Sequence, residues 1–369
     1  MAQDGMVVDQ AQVGGTVKDW WIYKGPGTVA ERWARLAGDE PPWRRFPGVA
    51  DPDYRPPGMD SPAGAETARR GAGYVPDEVE INAVNTALLL RRPLLVTGKP
   101  GVGKTTLAHS IATDLELGPV LHWPITSRSS LRDGLYHYDA ISRLHDANLQ
   151  HLVKQTVPQR NPRVRGGRPA GSQAATIAHY LRLGSLGTAL IPQPRPRVVL
   201  IDEIDKSDID LPGDLLTVFE DGSFEIPELA RLAAQQPRVR VGTQDSAAPE
   251  ARVDRGAVTC SAFPIIIMTS NGERDFPAPF LRRCIRLRIE PPAGDKLRQI
   301  VTTRLAIAPG DKRFDALIED FLTRRADGDL ATDQLLNAIQ LRLSGAWGDA
   351  EDHEEFLANT LQPLTGPNV

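Results

Sequence analysis

The sequence predicts an α/β fold: a parallel sheet covered on both faces by helices, followed by a small all-α unit. Three observations carry that expectation. First, Pro93-Leu94-Leu95-Val96-Thr97 reads as a strand, Gly98-Lys99-Pro100-Gly101-Val102-Gly103-Lys104-Thr105 as a glycine-rich turn, and Thr106-Leu107-Ala108-His109-Ser110-Ile111-Ala112 as a helix start. Second, further short and nearly continuous apolar runs alternate with helical stretches, as strands buried on both faces do. Third, such runs stop after Pro291-Pro292, and only helical spacing follows.

Taken in order, residues 1–70 form a Pro/Trp-rich N-terminal arm. It holds four of the six tryptophans (Trp20, Trp21, Trp33, Trp43) among Pro41-Pro42, Pro47, Pro52, Pro56-Pro57 and Pro62. Proline removes backbone donors, so no independent sheet or helical domain is expected there. Each tryptophan brings a large apolar surface that a free linker would leave wet. The arm is therefore expected to drape over the globular body with its aromatics in surface grooves; a partner-docking segment is the alternative. Residues 71–290 are regular. A helix is predicted over 77–90, with Pro76 before it and Val79, Val84 and Leu88 close to one face. After the first strand, loop and helix come Pro119-Val120-Leu121-His122-Trp123, Arg197-Val198-Val199-Leu200-Ile201, Phe263-Pro264-Ile265-Ile266-Ile267-Met268 and Ile285-Arg286-Leu287-Arg288-Ile289 as further strands. Residues 291–369 form the helical unit, with Phe314, Leu317, Ile318, Phe321 and Leu322 on one stripe and Leu335, Leu336, Ile339 and Leu343 on another. Its 8 Lys/Arg against 13 Asp/Glu suit a solvated helical surface rather than a phosphate-binding one.

The glycine-rich turn matches G-x-x-x-x-G-K-[ST] at every fixed position. Glycines let successive backbone N–H groups point inward at phosphate oxygens, and a following helix N-terminus adds partial positive charge. Lys104 then reaches the β- and γ-phosphates, and the Thr105 hydroxyl is a ligand for Mg²⁺. A chance glycine turn would lack the strand before and the helix after. The expected nucleotide-binding set is Gly98, Lys99, Pro100, Gly101, Val102, Gly103, Lys104, Thr105 and Thr106, and the expected ligand is ATP with Mg²⁺.

Val198-Val199-Leu200-Ile201-Asp202-Glu203 is an apolar strand ending in two carboxylates. At that edge Asp202 is expected to hold Mg²⁺ with Thr105, and Glu203 to orient and deprotonate the attacking water; a helix N-cap is the bland alternative. Asn271, after the fourth strand, has a neutral amide that both donates and accepts, which suits holding the lytic water. An Asx turn closing the strand would explain it equally simply. In Phe280-Leu281-Arg282-Arg283-Cys284, a planar guanidinium suits a spread phosphoryl charge delivered from a neighbouring subunit. Both arginines also read as surface ion-pair formers.

This ordered set resembles an AAA+ ATPase, and within that class the MoxR-like branch. The match rests on residues 98–105, 198–203, the Asn271 segment and Pro279-Phe280-Leu281-Arg282-Arg283. The last looks like the family's Leu-Leu-Asp-Arg-Phe segment, which puts the finger on Arg283 rather than Arg282. Leu183-Gly184-Ser185-Leu186-Gly187-Thr188-Ala189-Leu190, Trp123-Pro124-Ile125-Thr126-Ser127-Arg128 and Ile204-Asp205-Lys206-Ser207-Asp208-Ile209-Asp210-Leu211-Pro212 add to it. The resemblance implies a P-loop NTPase αβα sandwich with a five-stranded parallel sheet, a small all-α lid and ATP between them. It also implies a homo-oligomeric ring, commonly hexameric, that remodels or activates a protein client, often a von Willebrand A-domain protein. An insertion in the second helix falls within residues 127–194, and a hairpin before the fourth strand within 238–262. One departure stands out. Where many members have a lid arginine in Ser-Pro-Arg, this chain has Ala331-Thr332-Asp333, and Arg342 lies about two turns further on.

Composition narrows the alternatives. A net charge of −4 gives no global basic field for nucleic acid. Arg160, Arg163, Arg165 and Arg168, in a stretch without acidic residues, form a basic loop that keeps a nucleic-acid-stimulated motor or loader as an alternative. A slow nucleotide-gated scaffold is the other, and an intact Glu203 argues against it. Cys260 and Cys284 have no metal-ligand spacing. No apolar run approaches the roughly 18 residues of a membrane span, and Met1-Ala2-Gln3-Asp4-Gly5 lacks the regions of a signal peptide. The expected location is cytoplasmic.

Overall fold

The structure is a computed structural model that describes residues 17–156, 177–245, 250–292, 294–308, 311–327, 330–345, 356–357 and 360–362. The basic loop around Arg160, Arg163, Arg165 and Arg168 lies outside the described residues.

The centre is a five-stranded, all-parallel sheet in the order Ile285–Arg288, Leu94–Thr97, Ile265–Ser270, Val198–Asp202, Leu121–Pro124. Successive side chains point to opposite faces of a strand. Here both faces are covered. Leu94, Val96, Val198, Leu200, Ile265 and Ile267 join one buried cluster, while Leu95, Val199, Ile201, Ile266 and Met268 join the other. That double burial is why the strands read as unbroken apolar runs. This is the expected αβα sandwich built on a five-stranded parallel sheet. Four of the strands start one or two residues later than the apolar runs, and three extend further at their carboxyl ends, to Pro124, Asp202 and Ser270; the strand Ile285–Arg288 starts as expected and ends one residue early.

Smaller elements decorate the sheet. Tyr136–Tyr138 pairs antiparallel with Leu181–Leu183, between the short helices Leu131–Leu135 and Ser185–Ala189. Within the expected 238–262 stretch, Arg238–Val241 and Ala251–Asp254 form an antiparallel hairpin that belongs to a four-stranded sheet. The helix Glu78–Leu90 buries Ile81, Val84, Asn85 and Leu88, whereas Val79 is 68% exposed. Val79 sits in the first turn, before the helix meets the sheet, so its apolar face starts at Ile81.

The N-terminal arm contributes to the main core. Trp21, Ile22, Tyr23, Trp33 and Leu36 share a cluster with Leu107 and Ile111. Asn85 pins the arm with all four of its hydrogen-bonding positions. Its Oδ1 accepts from the Ile22 and Tyr23 N–H groups at 2.6 and 2.8 Å, and its Nδ2 donates to the Tyr23 and Ile81 carbonyls at 3.0 and 2.8 Å. Two helices form within the arm: Val29–Gly38, with a Thr28 capping box, and Pro62–Gly71, where Pro62 opens the helix and the Ser61 side chain caps it. Two of the arm's tryptophans depart from the expected burial: Trp20 is 42% exposed, and Trp43 is 74% exposed on the turn Pro42–Arg44. Its neighbour Arg44 takes the buried place, donating to the Phe219 and Arg91 carbonyls and lying over Phe263. Removing the amide in Asn85→Ala leaves two buried N–H groups unpaired, at about 1–3 kcal/mol each. We expect a loss of about 3 kcal/mol in urea unfolding; a change within about 0.5 kcal/mol, as at ordinary surface sites, would mean that the arm is only loosely attached.

Helices Gly294–Arg304, Asp315–Asp327 and Thr332–Leu343 pack around a separate core that includes Leu297, Val301, Phe314, Phe321, Leu335 and Ile339. Leu322 and Leu336 are only partly buried there, and Leu343 is exposed. No described helix is long and apolar enough to cross a membrane. Cys260 and Cys284 are free and buried, with burial pushing each thiol up to about 12.

Candidate functional site

The glycine-rich loop leaves the Leu94–Thr97 strand and enters the helix Lys104–Asp114 through Gly103, whose φ of +97° is open to glycine. Gly101 has φ +76°, and a Cβ there would stand 2.5 Å from Ala331 Cβ of the helical unit. The loop thus curls tightly and lies directly under the lid. It floors a cavity of about 670 Å³ that also meets Tyr74, Glu203, Asn271, Arg304 and Asp333. Lys104 Nζ donates to the Gly98 and Lys99 carbonyls at 2.7 and 2.9 Å and to Asn271 Oδ1 at 2.8 Å. Burial pushes its pKa down, while Asp205, Asp202 and Glu203 work in the other direction.

Asp202 closes its strand beside the loop. Its Oδ1 accepts from Thr105 Oγ1 at 3.2 Å and from Thr269 Oγ1 at 2.5 Å, and its Oδ2 lies 3.1 Å from His122 Nε2. Burial alone would raise this carboxyl, but hydrogen bonds from His122, Thr269 and Thr105 hold it below the usual carboxylate range. Oxygen donors of this kind, an ionised carboxylate next to a hydroxyl at a phosphate loop, suit a hard cation such as Mg²⁺.

Glu203 takes a left-handed backbone conformation, φ +60° and ψ +49°, which costs a non-glycine residue about 1–3 kcal/mol. Its N–H donates to Thr269 Oγ1 at 2.9 Å, so the strained turn and the Asp202 carboxylate hang on the same hydroxyl. The turn aims the side chain into the cavity, where Oε2 accepts from Lys206 Nζ at 2.8 Å and Oε1 stands 3.5 Å from Asn271 Nδ2. Asn271 is held in turn by its backbone. Buried Asp205 accepts from the Asn271 and Glu273 N–H groups at 2.9 and 3.1 Å.

The nucleotide loop, Thr105, Asp202, Glu203 and Asn271 therefore come together at one cavity. Arg283 does not. It lies on another part of the surface, where its Nε donates to Glu220 Oε1 at 2.5 Å and Arg44 Nη1 stands 3.9 Å from Glu220 Oε2. Arg282 is exposed, and its carbonyl accepts from Arg92. In the lid, Thr332 and Asp333 line the cavity, and Arg342 lies over Phe356 instead, 4.8 Å from the ring centroid. Sequence reading missed His122, Thr269, Asp205 and Lys206, as well as Lys296, which ties the lid to the body through Glu80 at 2.7 Å and Asp77 at 3.1 Å. Linear spacing carries no signal for these residues. His122 and Thr269 meet Asp202 because strand order makes neighbours of distant segments; the His122 strand pairs directly with the Asp202 strand, and the Thr269 strand flanks it on the other side.

The model of the AAA domain (dynein-related subfamily) matches residues 93–284, more than half of the chain. The chain belongs to this family. Its members bind nucleotide and generally hydrolyse ATP. No curated protein was matched. Among solved structures, domain III of the Thermotoga maritima replication initiation protein DnaA is similar at 16% identity over 79% of this chain and 96% of that one, with a TM-score of 0.37. At that distance the likeness bears on nothing further.

Proposed function

We propose that this chain is a Mg²⁺-dependent ATPase of the MoxR-like kind that assembles into a ring, hexameric by analogy with that branch. Hydrolysis of ATP to ADP and phosphate then remodels or activates a protein partner in the cytoplasm, a von Willebrand A-domain protein being the chemistry-independent expectation of that branch. We assign an arm to residues 1–70, the ATPase domain to 71–290 and the lid to 291–369. The observation that carries the reading is the convergence of Lys104, Thr105, Asp202, Glu203 and Asn271 on one cavity.

In this reading the loop residues Gly98, Lys99, Pro100, Gly101, Val102, Gly103 and Thr106 wrap the phosphates with backbone N–H groups, and Lys104 supplies the cation. Thr105 and Asp202 would hold Mg²⁺, which when bound would supply positive charge against the negative charge that grows during transfer. Asn271 orients the attacking water, and Glu203 takes its proton. Oε1 is the oxygen for that step, since it faces Asn271 while Lys206 engages Oε2. Arg283 acts on the nucleotide of a neighbouring subunit.

Lys104→Ala removes the side-chain cation built into the loop. Charge-assisted hydrogen bonds to phosphate are worth about 1.5–3 kcal/mol each, so ATP affinity should fall by at least about tenfold in a fluorescent-analogue titration. Wild-type affinity in that variant would remove the reading.

A further inference from the structure

The first lid helix brings an arginine to the phosphate loop that no motif announces. Arg304 ends the helix Gly294–Arg304, and its Nη2 stands 3.4 Å from Thr106 Oγ1. Its stem lies along Gly73, where an added Cβ would come within 3.1–3.3 Å of its Cδ, Cγ and Nε. It lines the same cavity as Lys104 and Thr105. A guanidinium keeps its charge throughout the ordinary pH range, and that of Arg304 is exposed beside the cavity it lines, where an anion can reach it. Lys296, on the same helix, has Glu80 and Asp77. Arg304 has no carboxylate within ion-pair distance among the described residues.

We propose that Arg304 binds the α-phosphate end of the nucleotide, so that the lid contributes its cation from its first helix and not from the third. This rests on the ATP-binding reading above. The position along the nucleotide follows from the neighbours. Lys104 Nζ, Asn271, Glu203 and Asp202 cluster together and define the γ end. Arg304 meets instead Thr106, one residue further into the helix than Thr105, and Gly73, in the segment that precedes the helix Glu78–Leu90. The start of the third lid helix offers Asp333, whose Oδ1 would be 3.4 Å from a Cβ on Gly101, and an anion there cannot attract the γ-phosphate. The lid therefore grips ADP as firmly as ATP, and loss of the γ-phosphate alone does not release it.

Calorimetric titration of the full chain with Mg·ATP, Mg·ADP and adenosine tests this with Arg304→Ala, Arg304→Lys and wild type. Arg304→Ala should weaken ATP and ADP equally, by about ten- to a hundredfold, and leave adenosine unchanged; Arg304→Lys should recover part of the loss. Unchanged ATP and ADP affinity in Arg304→Ala would overturn the proposal, as would a loss confined to ATP, which would mean a γ contact, or a loss shared by adenosine, which would mean a base contact or a damaged lid. Nucleotide binding by wild type is read in the same experiment. If wild type bound none, the function reading would fail; binding by wild type that Arg304→Ala leaves intact would sink this inference alone.

Discussion

Arg283→Ala is expected to bind ATP with wild-type affinity and to hydrolyse it about 10³–10⁵-fold more slowly, the range for a guanidinium delivered to a transferring phosphoryl group. That is about 4–7 kcal/mol of transition-state stabilisation at 1.36 kcal/mol per tenfold. The ion pair that holds Arg283 within its own subunit is no obstacle. Arg283 and Glu220 are 30% and 50% exposed, and solvent-exposed pairs contribute about 0–1 kcal/mol. Giving up Glu220 therefore costs little. With the finger acting across an interface as proposed, mixing Arg283→Ala with Lys104→Ala should restore part of the activity: some interfaces then join an intact loop to an intact Arg283. Dilution of wild type should lower specific activity as rings dissociate. Constant activity per subunit over a hundredfold dilution, with no rescue on mixing, would make the enzyme a monomer and Arg283 a structural residue.

Glu203→Gln is the second large effect. The amide keeps the shape of the side chain but takes no proton from water, and loss of a general base costs about 10²–10⁴ in rate. ATP binding should persist, since Lys104 and the loop are untouched. The backbone of residue 203 is held in its left-handed turn by its N–H bond to Thr269, a bond that the substitution does not alter. Asp202→Asn should act differently, weakening the Mg²⁺ dependence through the hydroxyl network of Thr105 and Thr269. A Glu203→Gln variant that turned over at the wild-type rate in a phosphate-release assay would show the general-base assignment to be wrong.

The central sheet was legible because its strands are covered on both sides, so that burial wrote unbroken apolar runs into the sequence. The phosphate loop was legible because its chemistry is contiguous: the glycines, Lys104 and Thr105 must follow one another between a strand and a helix. Asp202 and Glu203 could be found for the same reason, lying at the end of an apolar run. Residues that meet only through topology left no such trace. Thr269 and His122 reach Asp202 from neighbouring strands, Asp205 holds the Asn271 backbone from across a loop, and Arg304 arrives from the lid. Composition arguments also failed where local chemistry decided. The burial expected of the arm's tryptophans fails at Trp20 and Trp43, and beside Trp43 it is Arg44, with its hydrogen bond to the Phe219 carbonyl, that takes the buried place.

The most direct test of the account is phosphate release from Mg·ATP by the purified full chain, run beside Lys104→Ala at several protein concentrations. The account predicts sustained turnover in wild type, rising per subunit with concentration, and none in the variant. A wild-type chain that releases no phosphate, or activity that Lys104→Ala leaves intact, would contradict it.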